Sequence, residues 1–267
     1  MRDEQLINKK YHNLQRNKIM KNMDNFINNE ISNGIILSLD NINISFEKCL
    51  EIGFSTKRIY YYLVSRYKNI EYSCMDLSQK ILDKQVNFNL VKKINIDHDQ
   101  WDLEKQQFNL ILSLNYINLT NNFDKLLKNI YDSLINKGFF IITIPGSNYF
   151  YELKKSMILA DIDIYDGIYR RFTETYQVEH ILNLLKKNNF KTPLLQVDYI
   201  DLRYKDFNSL LEDVRYLGNS NAMYDRKKIF ENKIYFKKVE EIYWENFSYK
   251  NKLNLKVETL LITGWKD

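Results

Sequence analysis

Between residues 45 and 145 the chain switches repeatedly between short apolar runs and stretches of helical spacing, and this alternation restricts the fold more than any other feature. SFEKCLEIG (45–53), NIEYSCMD (69–76), LVKKINID (90–97), FNLILSL (108–114) and FFIITIP (139–145) are too short for buried helices and rich in apolar residues, so they read as strands. KRIYYYLVSRY and LSQKILDKQ between them have helical spacing. Phe123, Leu126, Leu127, Ile130 and Leu134 recur at i, i+3, i+4, i+7 and i+11, which makes one apolar helix face, and Gly138 is expected to stop that helix. Strands alternating with helices predict an α/β fold with a parallel sheet covered on both sides. Right-handed crossovers then leave a doubly wound, Rossmann-like sheet as the simplest arrangement.

The flanks add to this frame. Residues 6 to about 31 read as a polar helix broken around Ser32-Asn33-Gly34, so 1–34 are expected to extend a domain covering 35–267. After residue 146 a lid insertion at about 147–173 interrupts the rhythm, and a helix follows on Val178, Ile181, Leu182 and Leu185. LLQVDYIDLRY is apolar enough for another strand. A helical insertion at about 205–245 holds one helix on Phe207, Leu210, Leu211 and Val214 and a charged one from about 225 to 244. LKVETLLITGW closes the chain as a strand.

The formal charge of +5 is interspersed with acids, which argues against nucleic acid and suits an acidic protein partner. Cys49 and Cys74 lie in apolar runs and read as buried free thiols. His12, His98 and His180 stand apart from metal-ligand spacings, so no metal is expected. No run approaches the roughly 18 apolar residues of a membrane span, although a peripheral position on a membrane complex is compatible with the sequence. The N-terminus MRDEQLINKK lacks an apolar targeting segment, and a cytoplasmic location is expected.

In a doubly wound sheet ligands bind beyond the carboxyl ends of the strands, where the strand order reverses. That places Glu51 to Lys57, Asp76 and the segment from Asp97 to Asp102 around one crevice. Asp76 has the position to accept from a ribose diol and Asp97 from an adenine amino group, while Gly53 lets backbone approach the ligand. The same acids also suit helix capping, as in Asp76-Leu77-Ser78.

With these spacings the chain resembles the class I S-adenosylmethionine-dependent methyltransferases. FNLILSLNYINLTNNFDKLLKNIYDSLINKGFFIITIPGS resembles the family's fourth strand, helix and fifth strand. GSNYFYELKKSMILAD, DGIYRRF, LEDVRYLGNSNA and ITGWK, with the basic segment NKKYHNLQRNK, resemble one branch. It holds the methyltransferase-like assembly factors of respiratory complex I, of arginine hydroxylase type, and the malonyl-acyl-carrier-protein O-methyltransferases of biotin synthesis. The resemblance implies a seven-stranded sheet with an antiparallel last strand, S-adenosyl-L-methionine as cofactor, and a complex I subunit or acyl carrier protein as substrate. The implied cofactor side comprises Glu51, Gly53, Ser55, Asp76, Leu77, Asp97, Asp99 and Ser113, and the substrate side Glu152, Arg171, Arg215 and Asn221. Arg171 is expected on the lid, where its fork suits a carboxylate. No residue is recognisable as a catalytic base, and methyl transfer needs alignment more than a base.

Two departures qualify the likeness. The family's Asp-Leu-Gly-Cys-Gly-x-Gly turn is here Glu51-Ile52-Gly53-Phe54-Ser55-Thr56-Lys57, with one glycine left and Lys57 directed at the cofactor carboxylate or at solvent. Ile117-Asn118-Leu119 replaces the family's Leu-His-Trp, so a ring is expected to be missing after the fourth strand. Three functions follow: modification or assembly of a complex I subunit, O-methylation of malonyl-acyl-carrier-protein, or a binding module that has lost the cofactor.

Overall fold

The computed structural model describes residues 6–19, 25–84, 90–217, 221–228 and 231–267. Gly218, Asn219 and Ser220 of the LEDVRYLGNSNA motif lie outside the described residues. Strands β1 (Lys48–Ile52), β2 (Glu71–Asp76), β3 (Leu90–Asn95), β4 (Phe108–Leu114) and β5 (Leu134–Pro145) alternate with α3 (Lys57–Arg66), α4 (Gln79–Lys84) and α5 (Phe123–Ser133). Ahead of them lie α1 (Lys9–Ile19) and α2 (Phe26–Asp40). After them come α6 (Tyr151–Tyr165), α7 (Val178–Lys187), β6 (Lys191–Tyr204), α8 (Phe207–Tyr216), α9 (Lys233–Phe247), the two-residue β7 (Ser248–Tyr249) and β8 (Lys252–Trp265).

All the strands join one sheet in the order β3-β2-β1-β4-β5-β8-β6, with β7 paired to β8. The first five run parallel, and β8 is antiparallel to both β5 and β6. The expected doubly wound sheet with an antiparallel last strand is therefore present. Its order reverses between β1 and β4, which opens the crevice above those two strands.

Side-chain alternation explains why the central strands are apolar throughout. Cys49, Leu110, Leu112, Phe139 and Ile141 pack on one face with α2, α3, α6 and α9. Leu50, Ile111, Phe140 and Ile142 pack on the other with α5 and α7. The central strands β1, β4 and β5 are covered on both faces and so have almost no polar face to expose, whereas the edge strand β6 is largely exposed and correspondingly polar. Cys49 and Cys74 are free thiols inside the sheet, with their pKa pushed up by burial.

Three boundaries differ from expectation. The break at Ser32-Asn33-Gly34 does not occur: α2 runs through it because Ile27, Ile31, Ile35 and Leu39 form one buried stripe. Gly34 serves packing instead, since a Cβ there would stand 3.0 Å from Asp198 Oδ2. Helix α5 ends at Ser133, before Gly138, and Gly138 lies inside a longer β5. The charged helix starts at Lys233 under the Asn232 cap rather than near residue 225. Helix α2 is itself capped by Asn25, whose side chain accepts from Ile27 N at 2.8 Å and Asn28 N at 3.4 Å. Replacing Asn25 by Ala is expected to cost about 1 kcal/mol in urea denaturation, the usual loss of a side-chain cap.

Candidate functional site

The carboxyl ends of β1, β2 and β4 converge where the sequence places the crevice. Gly53 turns just past β1 at φ +78°, and its N–H donates to Met75 O at 2.7 Å. Asp76 ends β2 fully buried. Its Oδ1 accepts from Ser78 N at 2.8 Å and its Oδ2 from Phe54 N at 3.2 Å, so one carboxylate ties both strand-to-helix turns. Asp97 caps the 3-10 turn His98–Gln100, and Asp99 accepts from Thr120 Oγ1, Asn121 N and Asn121 Nδ2. Asp76, Leu77, Asp97 and Asp99 are thus brought together as expected.

What meets them is another part of the chain. Lys9, His12 and Arg16 project from α1 into the crevice. Arg16 is buried, with Nη2 at 2.5 Å from Asp76 Oδ2 and donating to Phe54 O at 2.7 Å. Burial opposes its charge, but Asp76 more than offsets this and raises its pKa. Lys9 Nζ lies 2.9 Å from Asp97 and 2.8 Å from Asp99 and donates to Leu119 O at 2.8 Å. His12 is 1% exposed, with neither ring nitrogen partnered. Its pKa falls well below the usual histidine value through burial, then through Arg16 and Lys9, so the ring is neutral at pH 7.

Tyr116 completes the closure. Ile117-Asn118-Leu119 carry no ring, and the ring in the crevice is that of the preceding residue, Tyr116. A Cβ on Gly53 would stand 2.0 Å from the Tyr116 ring, so glycine is required there for close approach as well as for its φ. Leu77 N donates to the Tyr116 hydroxyl at 3.0 Å, the ring lies 5.4 Å from His12 and 5.2 Å from His98, and the Arg16 guanidinium carbon lies 4.7 Å from its centre. His98 is not isolated either: ligand atoms of Asp97, His98 and Asp99 lie within 4.8 Å of one another. The Lys9 ammonium supplies the cation there, 3.2 Å from His98 Nε2, and burial and Lys9 lower the His98 pKa to about 4.

The remaining cofactor-side residues serve the scaffold. Glu51 is buried, accepts from the Tyr72 hydroxyl, and has its pKa raised by burial to about 8. Ser55 Oγ donates to Leu114 O at 3.0 Å and Ser113 Oγ to Ile52 O at 2.7 Å, both fastening β4 to the β1 side. Lys57 is the first residue of α3, behind the Thr56 cap.

A separate cavity of about 210 Å³ lies under α6, the lid segment and α8, reaching the ends of β4 and β5 at Asn118 and Pro145. Arg171, Arg215 and Asn221, expected on the substrate side, line it together. Glu152 does not: it accepts from Lys256 N at 3.0 Å in a different depression, because the first turn of α6 faces β8. Arg171 is not available for a carboxylate ligand, since Asp161 and Glu231 hold it and the Tyr235 ring covers it at 4.2 Å. Arg215 lies 5.7 Å from the Phe236 ring, and Asn221 Nδ2 donates to Arg170 O at 2.8 Å. Lys154, Asn118 and Thr173 also line the cavity. Asn118 Oδ1 and Thr173 Oγ1 are buried without partners among the described residues, and burial lowers the Lys154 pKa.

The sequence reading missed Lys9, His12, Arg16, Tyr116, Lys154 and Asn118. The α1 residues had a legible signal: they recur at i, i+3 and i+7 and so share a helix face.

This sheet order, with its crevice at the β1/β4 switch, is that of the class I methyltransferases, and residues 50–142 match the family model described as "Methyltransferase domain". Residues 50–142 thus carry a methyltransferase domain, and the fold is that of class I. Among similar curated proteins, Arginine-hydroxylase NDUFAF5, mitochondrial, of Dictyostelium discoideum is 24% identical over 61% of this chain and 38% of its own length. The Malonyl-[acyl-carrier protein] O-methyltransferase of Methylovorus sp. (strain MP688) is 21% identical over 89% of this chain and 81% of its own. The crystal structure of a putative methyltransferase from Bacillus halodurans superposes with a TM-score of 0.58 at 10% identity, covering 87% of this chain and 97% of that one. The chain spans well under half the length of the Dictyostelium protein.

The crevice of this structure does not fit an adenosine. Asp76, Leu77 N, Asp97 and Asp99 are bonded to Arg16, Tyr116 or Lys9, and the space over Gly53 holds the Tyr116 ring.

Proposed function

We propose that this chain is an S-adenosylmethionine-dependent, methyltransferase-like enzyme that modifies a protein subunit, as a respiratory complex I assembly factor does, with the acceptor side chain entering the cavity under the lid. One observation carries the reading: two buried acceptor oxygens, Asn118 Oδ1 and Thr173 Oγ1, line an apolar cavity and have no partner among the described residues. Buried polar atoms of this kind are normally satisfied, so they suit a ligand that brings N–H or O–H donors. A cavity of about 210 Å³ takes one side chain rather than a folded surface. Tyr149, Phe150, Phe172 and Phe236 give it walls on which a planar cation such as guanidinium stacks. The relatives named as arginine hydroxylases are in keeping with such an acceptor.

A second reading, O-methylation of malonyl-acyl-carrier-protein, is favoured by Lys154 and Arg215 in the same cavity, which suit a carboxylate. Incubation with S-adenosylmethionine and either complex I subunits or malonyl-acyl-carrier-protein, followed by mass spectrometry, separates the two. Modification of a subunit arginine is expected, and Asn118→Ala should lower its kcat/KM about tenfold, the loss of one hydrogen bond to a charged donor. A methyl ester on the carrier, or rescue of a biotin auxotroph, would establish the second reading instead. No modification of either substrate would leave only a binding module.

A further inference from the structure

We propose that α1 is an internal occupant of the nucleoside crevice and gates it, so that cofactor enters only when Arg16, His12 and Lys9 withdraw. The inference rests on the reading above that the chain is S-adenosylmethionine-dependent, although the crevice is closed to an adenosine in the arrangement described.

The crevice is closed by replacement of ligand contacts, group for group. A ribose diol would donate to Asp76, and Arg16 now donates to both of its oxygens, at 2.5 and 3.5 Å. An adenine amino group would donate to Asp97, and the Lys9 ammonium stands 2.9 Å from it. A nucleobase needs a flat, apolar slot, and the uncharged His12 ring lies buried beside Tyr116 without a hydrogen bond of its own. That last point marks the arrangement as displaceable. A ring with two unpartnered nitrogens is poorly satisfied where it sits, and it regains hydrogen bonds as soon as the helix lifts.

The anchoring has two parts. Lys9, His12 and Arg16 share one face of α1 at i, i+3 and i+7 and hold the crevice. Outside it Ile7 pairs with Met223, Asn8 N donates to Ala222 O, Ser78 Oγ donates to Asn17 Oδ1 and Arg226 covers the Tyr11 ring, and these contacts must loosen together with the stripe for α1 to lift. Withdrawal exposes Asp76, Asp97 and Asp99 together, while the Tyr116 ring, which follows β4 rather than belonging to α1, must turn aside as well to clear the space over Gly53. Because only the open fraction binds ligand, apparent affinity is reduced by the population of the closed state, and weakening the stripe must raise it.

The test is isothermal titration of the full chain and its variants with S-adenosylhomocysteine. Arg16→Ala is expected to bind at least tenfold more tightly than the unmodified chain, and Lys9→Ala, which leaves the Asp76 pair intact, to shift affinity the same way by a smaller factor. Equal or weaker binding by both variants, with measurable binding by the unmodified chain, would overturn the gate and leave the cofactor reading standing. No binding by any of the three would overturn both. Amide exchange across residues 9–19 gives an independent readout. Saturating ligand should accelerate it in the unmodified chain, whereas slowed or unchanged exchange would mean that α1 clamps the ligand instead of yielding to it, and would overturn the gate.

Discussion

Replacing Asp76 by Ala should destabilise the protein by about 3–5 kcal/mol, the largest single-site loss expected here. The carboxylate accepts from two backbone N–H groups and from Arg16, all in a position with no solvent exposure. Its removal orphans Phe54 N and Ser78 N at the mouths of two turns, at about 1–3 kcal/mol each, and strands a buried guanidinium. The counter-variant Arg16→Met should cost only about 1 kcal/mol. Asp76 keeps both backbone donors, the methionine stem still covers Tyr116, and α1 can lift to let water reach the acid. Urea denaturation of both variants checks this. Equal losses would mean that the ion pair, rather than the backbone bonds, holds the two turns together.

That asymmetry clarifies the kind of site the sequence encodes. The acids at the strand tips are read correctly from position alone, because a strand end facing a switch point leaves few other places for them. Their partners are less legible. A polar stripe such as Lys9, His12 and Arg16 has the composition of a solvated helix face, and only the location of α1 over the crevice turns it into a buried contact.

Similar reasoning accounts for the other departures. Ile27, Ile31, Ile35 and Leu39 announce a helix through Gly34, yet a Ser-Asn-Gly triplet is the stronger local signal for a break, and packing against β8 overrides it. Arg171 is correctly placed on the cavity wall but wrongly assigned a ligand. Its acidic partners, Asp161 and Glu231, lie 10 and 60 residues away and share no pattern with it. The strands were the most readable part, since burial on both faces leaves runs such as FNLILSL nearly without polar residues.

The second large effect is expected at Glu51, and it depends on pH. This carboxyl is fully buried, and burial raises its pKa from 4.5 to about 8, against the opposing pull of the Tyr72 hydrogen bond. The folded protein thus holds a proton there that the unfolded chain releases above pH 4.5. Stability contributed by this group is complete below the unfolded value and is lost as pH rises toward the folded one. At about 1.4 kcal/mol per pKa unit, the penalty reaches several kcal/mol by pH 8. Glu51→Gln keeps the shape and an acceptor for Tyr72 but has no proton to lose. It should therefore be less stable than the unmodified protein by about 2 kcal/mol at pH 4.5, where an unpaired amide N–H is not offset, and more stable by roughly 2 kcal/mol at pH 8, where the ionisation penalty of the carboxyl exceeds that cost. Denaturation midpoints at both pH values measure the difference. A parallel pH dependence in the two proteins would show that Glu51 ionises normally in the fold, and that the end of β1 is wetter than its burial implies.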